Sequence, residues 1–158
     1  MQLLAVGTKA PNFTVTEQGG KQISLSDFAG KKVLLYFYPK DNTSGCTKEA
    51  CAFRDHFVQF RHLNIEILGV SIDNEKSHKA FAQKHALPFP LLADTDKQIV
   101  TAYGVWGEKT LYGKKYMGTN RVTYLIDESG RIAAVFPKVK PEKHAEEILA
   151  LCLPSSQI

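Results

Sequence analysis

Cysteine is scarce in this chain: three among 158 residues, an odd number, with Cys46 and Cys51 only five positions apart and Cys152 far off. A bridge between positions so close closes too small a loop to staple a secreted fold through lost chain entropy. A reducing compartment with reactive thiols fits better, and the expected location is cytoplasmic. No apolar run approaches the ~20 residues of a membrane span. The opening "MQLLAVGTKAP" lacks the basic segment and the ~7 to 15 apolar residues of a signal peptide. No membrane partner is expected. CxxC is absent, and so is any cysteine or histidine pair with zinc-ligand spacing. His78 and His85 would stand ~10 Å apart along a helix, too far to share an ion. No metal is expected, and the histidines read as solvated. There is no long block of one charge: the net +4 is spread over Lys31/Lys32, Lys114/Lys115 and Lys138/Lys140/Lys143, a solvated surface and not a nucleic-acid patch.

The hydrophobic content of 44% is that of an ordinary globular protein, and the length suits one domain, residues 1–158. "NFTVTEQGGKQISL" reads as a β-hairpin turning at Gly19-Gly20. The run 33–38 is apolar without alternation, as in a strand buried on both faces, and Pro39 ends it. "TSGCTKEACAFRDHFVQFRHL" then places Ala50, Phe53, Phe57 and Phe60 at helical spacing, with Thr43 or Ser44 as N-cap and Cys46 in the first turn. "IEILGVSID" and "FPLLAD" are further strands. "NEKSHKAFAQKHA" and "TDKQIVTAYGV" are helices between and after them. "VTYLIDESGRIAAVF" closes with a hairpin at 128–130, and "KPEKHAEEILALCL" is a terminal helix. Alternating strands and helices predict a parallel core, and the added antiparallel hairpin makes it an α/β, thioredoxin-like mixed sheet flanked by helices, with an N-terminal β-hairpin.

The first turn of a helix favours anions through its free N–H groups and dipole, so a thiol there is a candidate nucleophile. Cys46 has that location, beside the hydroxyls of Thr43, Ser44 and Thr47, with Pro39 helping to exclude water from the loop. Cys51 falls in the helix body among Ala50, Ala52 and Phe53, an apolar setting equally suited to a packed thiol. The two cysteines should not be equivalent.

"YFYPKDNTSGCTKEAC" resembles the active-site segment of the peroxiredoxins, in which a proline, a threonine or serine and a cysteine recur at the spacing of Pro39, Thr43 and Cys46. The resemblance is strongest to the bacterioferritin comigratory protein, or Q-type, branch. It extends through "PNFTV", "ILGVSID", "PLLAD", "YGVWGEK" and "RVTYLID". It implies reduction of hydrogen peroxide and organic hydroperoxides without metal, haem or flavin, with thioredoxin or glutaredoxin as reductant, and a monomer. It also implies that Cys46 is the peroxidatic cysteine and Cys51 the resolving one. Arg121 then matches the arginine that holds the thiolate and polarises the peroxide. Ser44 departs from the branch, which usually has proline there, and a changed opening rate is expected. Cys152 matches no family role and reads as a packing residue.

Five residues of intact helix separate two Cα atoms by roughly 8 to 9 Å. A disulfide spans about 4.4 to 6.8 Å. A bond between Cys46 and Cys51 therefore requires the first turns of the helix to unwind, which is least costly at an end already short of internal hydrogen bonds. Two rival functions remain open: a dithiol oxidoreductase acting on protein disulfides, for which the missing CxxC is a departure, and a redox-sensing module without turnover.

Overall fold

The structure is a computed structural model describing residues 2–152. Its centre is β3 (Lys32–Phe37), whose unbroken apolar sequence has two faces to bury. Val33, Leu35 and Phe37 enter one core and Leu34 and Tyr36 the other, the two-residue alternation of an extended chain. Leu34 and Leu35 are both fully buried, so truncating either to alanine should cost ~2–5 kcal/mol.

β4 (Ile65–Ser71) and β5 (Leu91–Ala93) extend the sheet in parallel on one side of β3. β8 (Val122–Ile126) and β9 (Ile132–Phe136) add antiparallel strands on the other, giving the order β5-β4-β3-β8-β9. This is the mixed sheet expected from the sequence. One face is covered by Phe13, Ile23 and Leu25 from the N-terminal hairpin region, where β1 (Thr14–Thr16) pairs with β2 (Gln22–Ser24), and by α4 (Gln98–Ala102). The other is covered by α1 (Ser44–Asp55), α2 (Phe57–His62), α3 (Glu75–His85) and α5 (His144–Cys152). No helix among the described residues is long and apolar enough to cross a membrane.

Several boundaries differ from the sequence pattern. β3 ends at Phe37, although Tyr38 still donates its N–H to the Val70 carbonyl at 3.0 Å and stays buried. The amphipathic segment after the loop divides at His56 (φ −106°, ψ 12°). Phe53 and Phe60, on either side of the break, share one core with ring centroids 5.9 Å apart, while Val58 is left exposed. The hairpin of β6 (Trp106–Leu111) and β7 (Lys114–Thr119) had no sequence signal strong enough to mark it, because its outer residues are polar or solvent-facing. Its turn is made by Tyr112 and Gly113, both at positive φ, the geometry that suits the twist of a two-residue hairpin loop. The last residue expected in the terminal helix, Leu153, lies outside the described residues.

Candidate active site

The sheet register brings the site together. Phe37 pairs with Val122, so the loop that leaves β3 and the residue that precedes β8, Arg121, meet at one end of the sheet. The loop passes through Asn42 at φ 63° and reaches Thr43, whose extended backbone (φ −85°, ψ 155°) is the N-cap of α1. Cys46 is the third residue of that helix and is buried. Arg121 crosses from the other side and donates from Nη2 to Cys46 Sγ at 3.3 Å and from Nη1 to Glu49 Oε1 at 2.7 Å. Glu49 and Cys46 are three apart, the spacing that puts two side chains on one helix face. Gly45 lets the guanidinium approach: a Cβ there would stand 3.2 Å from Arg121 Nη2.

Of the residues singled out from sequence, Cys46 and Arg121 are in direct contact. Pro39 is half-buried near the start of the loop. The Thr43 hydroxyl is occupied by the Lys40 carbonyl, to which it donates at 2.8 Å, and it makes no side-chain cap to the helix. Cys51 is half-buried further along the unbroken helix, and all three cysteines are free thiols. Cys152 is half-buried against the core on the helix-covered side of the sheet, and burial raises its thiol pKa.

Glu49 was not singled out from sequence. Its only signal was a lone acid on the helix face formed by Cys46, Ala50 and Phe53. Burial raises its carboxyl to about 7, against the opposing pull of Arg121. Burial disfavours the Arg121 charge, but Glu49 and Cys46 more than compensate and hold its pKa above the ordinary value. Beneath them Tyr36 is buried with its phenol raised well above 10, first by burial and then by Glu49. Glu49 Oε2 and the Tyr36 hydroxyl have no hydrogen-bond partner among the described residues.

The expectation of solvated histidines fails at His78 and His144, both completely buried. His78 has both ring nitrogens engaged, whereas His144 has one, its Nδ1 having no partner among the described residues. His78 lies between Asp41 Oδ2 at 2.7 Å and the Leu92 carbonyl at 2.9 Å. His144 Nε2 meets the Thr123 hydroxyl at 2.8 Å, with its ring edge-on to Phe53 and Phe136. Burial, reinforced by the Arg121 charge, lowers His144 to about 4, so its imidazole is neutral at pH 7.

Comparison with known proteins gives the chain its family. Residues 6–135 match the AhpC/TSA family. The chain is 51% identical to a putative peroxiredoxin bcp of Coxiella burnetii over 92% of this chain and 97% of that one. It is 42% identical to the peroxiredoxin Bcp of Escherichia coli K12, over 94% and 96%. Among solved structures, a mutant of Xylella fastidiosa PrxQ superposes with a TM-score of 0.90 at 36% identity, covering 96% of each chain. A Xanthomonas campestris bacterioferritin comigratory protein, solved for insight into alkyl peroxide reduction, superposes at 0.84 with 38% identity over 89% of each. With sequence and fold in agreement, this chain belongs to the AhpC/TSA family and, within it, to the bacterioferritin comigratory protein or Q-type peroxiredoxins.

Proposed function

We propose that this thiol peroxidase reduces hydrogen peroxide and organic hydroperoxides through Cys46, resolves the product with Cys51, and is recycled by thioredoxin or a related dithiol. The observation that carries the reading is the 3.3 Å contact from Arg121 to the sulfur of a buried cysteine in the first turn of α1. In the first step the Cys46 sulfur forms a bond to one peroxide oxygen as the O–O bond breaks. The leaving hydroxide or alkoxide takes up a proton, and Cys46 becomes a sulfenic acid. Negative charge spreads over the sulfur and both oxygens during the displacement. A cationic donor already aimed at the sulfur stabilises that charge without having to reorient. Thr43, at the mouth of the same turn, is positioned to turn its hydroxyl from Lys40 to the peroxide.

In the second step the Cys51 sulfur displaces the sulfenic oxygen, which leaves as water, and an S–S bond forms. The intact α1 keeps the two Cα atoms roughly 8 to 9 Å apart, beyond disulfide reach, so the first turns of α1 must unwind. A dithiol then reduces the open disulfide through a mixed disulfide, becoming oxidised in turn. The reading places the protein in the cytoplasm as a monomer, with no metal or cofactor.

Steady-state peroxide consumption with thioredoxin, thioredoxin reductase and NADPH is the direct test. Turnover is expected in the wild type, none in Cys46→Ser, and a single peroxide reduced per chain in Cys51→Ser. Sustained thioredoxin-dependent turnover by Cys51→Ser would transfer the resolving role to Cys152 or an external thiol. Reduction of insulin without peroxide consumption would instead mark a disulfide oxidoreductase.

A further inference from the structure

Asp41, in the middle of the loop between β3 and α1, is buried, which is unusual for an acid. Its carboxylate accepts from three side chains: Tyr38 at 2.7 Å on Oδ1, and Ser77 at 2.8 Å and His78 at 2.7 Å on Oδ2. Its backbone N–H donates to Asp73 Oδ2 at 2.9 Å, and that oxygen also accepts from the Ser71 hydroxyl at 2.6 Å. His78 is itself fixed. A carbonyl only accepts, so His78 Nε2 donates to Leu92, while Nδ1 stands 2.7 Å from Asp41 Oδ2. Two strands and a helix therefore converge on one loop residue: β4 through Ser71, β5 through Leu92, and α3 through Ser77 and His78.

Asp41, Asp73 and His78 also present ligand atoms within 4.8 Å of one another, as a metal site would. These residues bond to one another and to Tyr38, Ser71 and Ser77, so the cluster is held together as a hydrogen-bond network. The network does not touch Cys46, and its connection to the site is covalent. Two residues after Asp41 the chain reaches Thr43, whose carbonyl accepts the first helical bond of α1 from Thr47 at 2.9 Å. Between them Asn42 holds a left-handed φ of 63°, which asparagine tolerates better than other non-glycine residues and which turns the chain from Asp41 into Thr43.

We propose that Asp41 and His78 are positioning residues for the reaction at Cys46: they anchor the loop to α3 and β5, and so set where the first turn of α1 presents its sulfur to Arg121. Leaving the dyad half-made is worse than its simple loss, because a buried group without a partner carries its full desolvation penalty. The loop would then shift to solvate it, carrying Thr43 and Cys46 away from Arg121.

The inference rests on Cys46 being the reacting thiol, and the test has two arms that separate the questions. Second-order rates for Cys46 are measured by mass spectrometry of its peptide, once with hydrogen peroxide and once with iodoacetamide, alongside thermal unfolding of the full chain. Asp41→Ala is expected to alter both rates, with peroxide oxidation falling about tenfold or more, since misplacing a reacting group by an ångström can cost a hundredfold. Asp41→Asn keeps the shape and can donate to His78 Nδ1, and should return peroxide oxidation to within about threefold of wild type. Ile132→Ala, in the core at β9, should lower the unfolding temperature and leave both rates unchanged. Wild-type rates in folded Asp41→Ala, or no rescue by Asp41→Asn, would overturn the proposal. Should Asp41→Ala fail to fold, Ser77→Ala removes one of the three donors and should slow peroxide oxidation measurably; unchanged rates there overturn the proposal equally. If wild-type Cys46 ignores peroxide, the peroxidase reading fails, while the alkylation arm still decides the anchor.

Discussion

Replacing Glu49 with glutamine removes one charge from the centre of the site and little else. Glutamine Oε1 can still accept from Arg121 Nη1, as Glu49 does at 2.7 Å, so the guanidinium keeps its direction. What changes is the pH dependence of stability. The Glu49 carboxyl ionises at about 7 in the folded chain against an ordinary 4.5. Between those values the folded state holds a proton that the unfolded state has released, so stability falls as the pH rises. At 1.36 kcal/mol per pKa unit, the ionised Glu49 burdens the folded state by about 3 kcal/mol above pH 7. That burden is absent below about pH 4.5 and complete once the pH passes the folded value. Urea unfolding of reduced wild type and Glu49→Gln, from pH 5 to 8.5, should therefore show the variant gaining on the wild type by roughly 2–3 kcal/mol across the range. His144 titrates in both proteins and cancels in the difference. Parallel curves would refute the reasoning: they would mean that Arg121 fully offsets the burial of the carboxylate.

Three further outcomes follow from the same geometry. His144, lowered to about 4 by burial and by the Arg121 charge, contributes stability that is complete above about pH 6.5 and lost as the pH falls towards 4; His144→Leu should flatten that part of a pH-dependent urea-unfolding series by roughly 2–3 kcal/mol. Gly45→Ala places a Cβ 3.2 Å from Arg121 Nη2 and pushes the guanidinium back by tenths of an ångström; peroxide oxidation of Cys46 should slow about three- to tenfold by stopped-flow, with little change in thermal stability. Amide exchange in the first turns of α1 should accelerate at least tenfold once peroxide has converted the chain to the proposed Cys46–Cys51 disulfide, while β3 and β4 stay protected. An equally protected α1 in both redox states would contradict the unwinding step.

Much of the fold was legible because local pattern and burial agree. β3 and β4 are apolar on both faces, and central strands of a covered sheet require that. The N-terminal and C-terminal hairpins carry glycines where the chain turns with positive φ, at Gly20 and Gly130. The β6–β7 hairpin escaped notice because its residues face solvent and need no apolar alternation. The break at His56 escaped because Phe53, Phe57 and Phe60 fit one continuous helix as well as two.

The site divides along the same line. The sequence by itself put Cys46 in the first turn of a helix after a buried strand, and set Cys51 five residues on, because those are relations between neighbours along the chain. Tertiary structure alone decided what surrounds the sulfur. Arg121 is 75 residues away and reaches Cys46 only through the antiparallel pairing of β3 with β8. Glu49 is a surface-type residue made central by the arginine above it, His78 is buried because Asp41 and Leu92 satisfy both ring nitrogens, and His144 is buried with Thr123 on one of its two. Burial of a charged or polar group depends on partners brought from distant parts of the chain, and no local pattern records them.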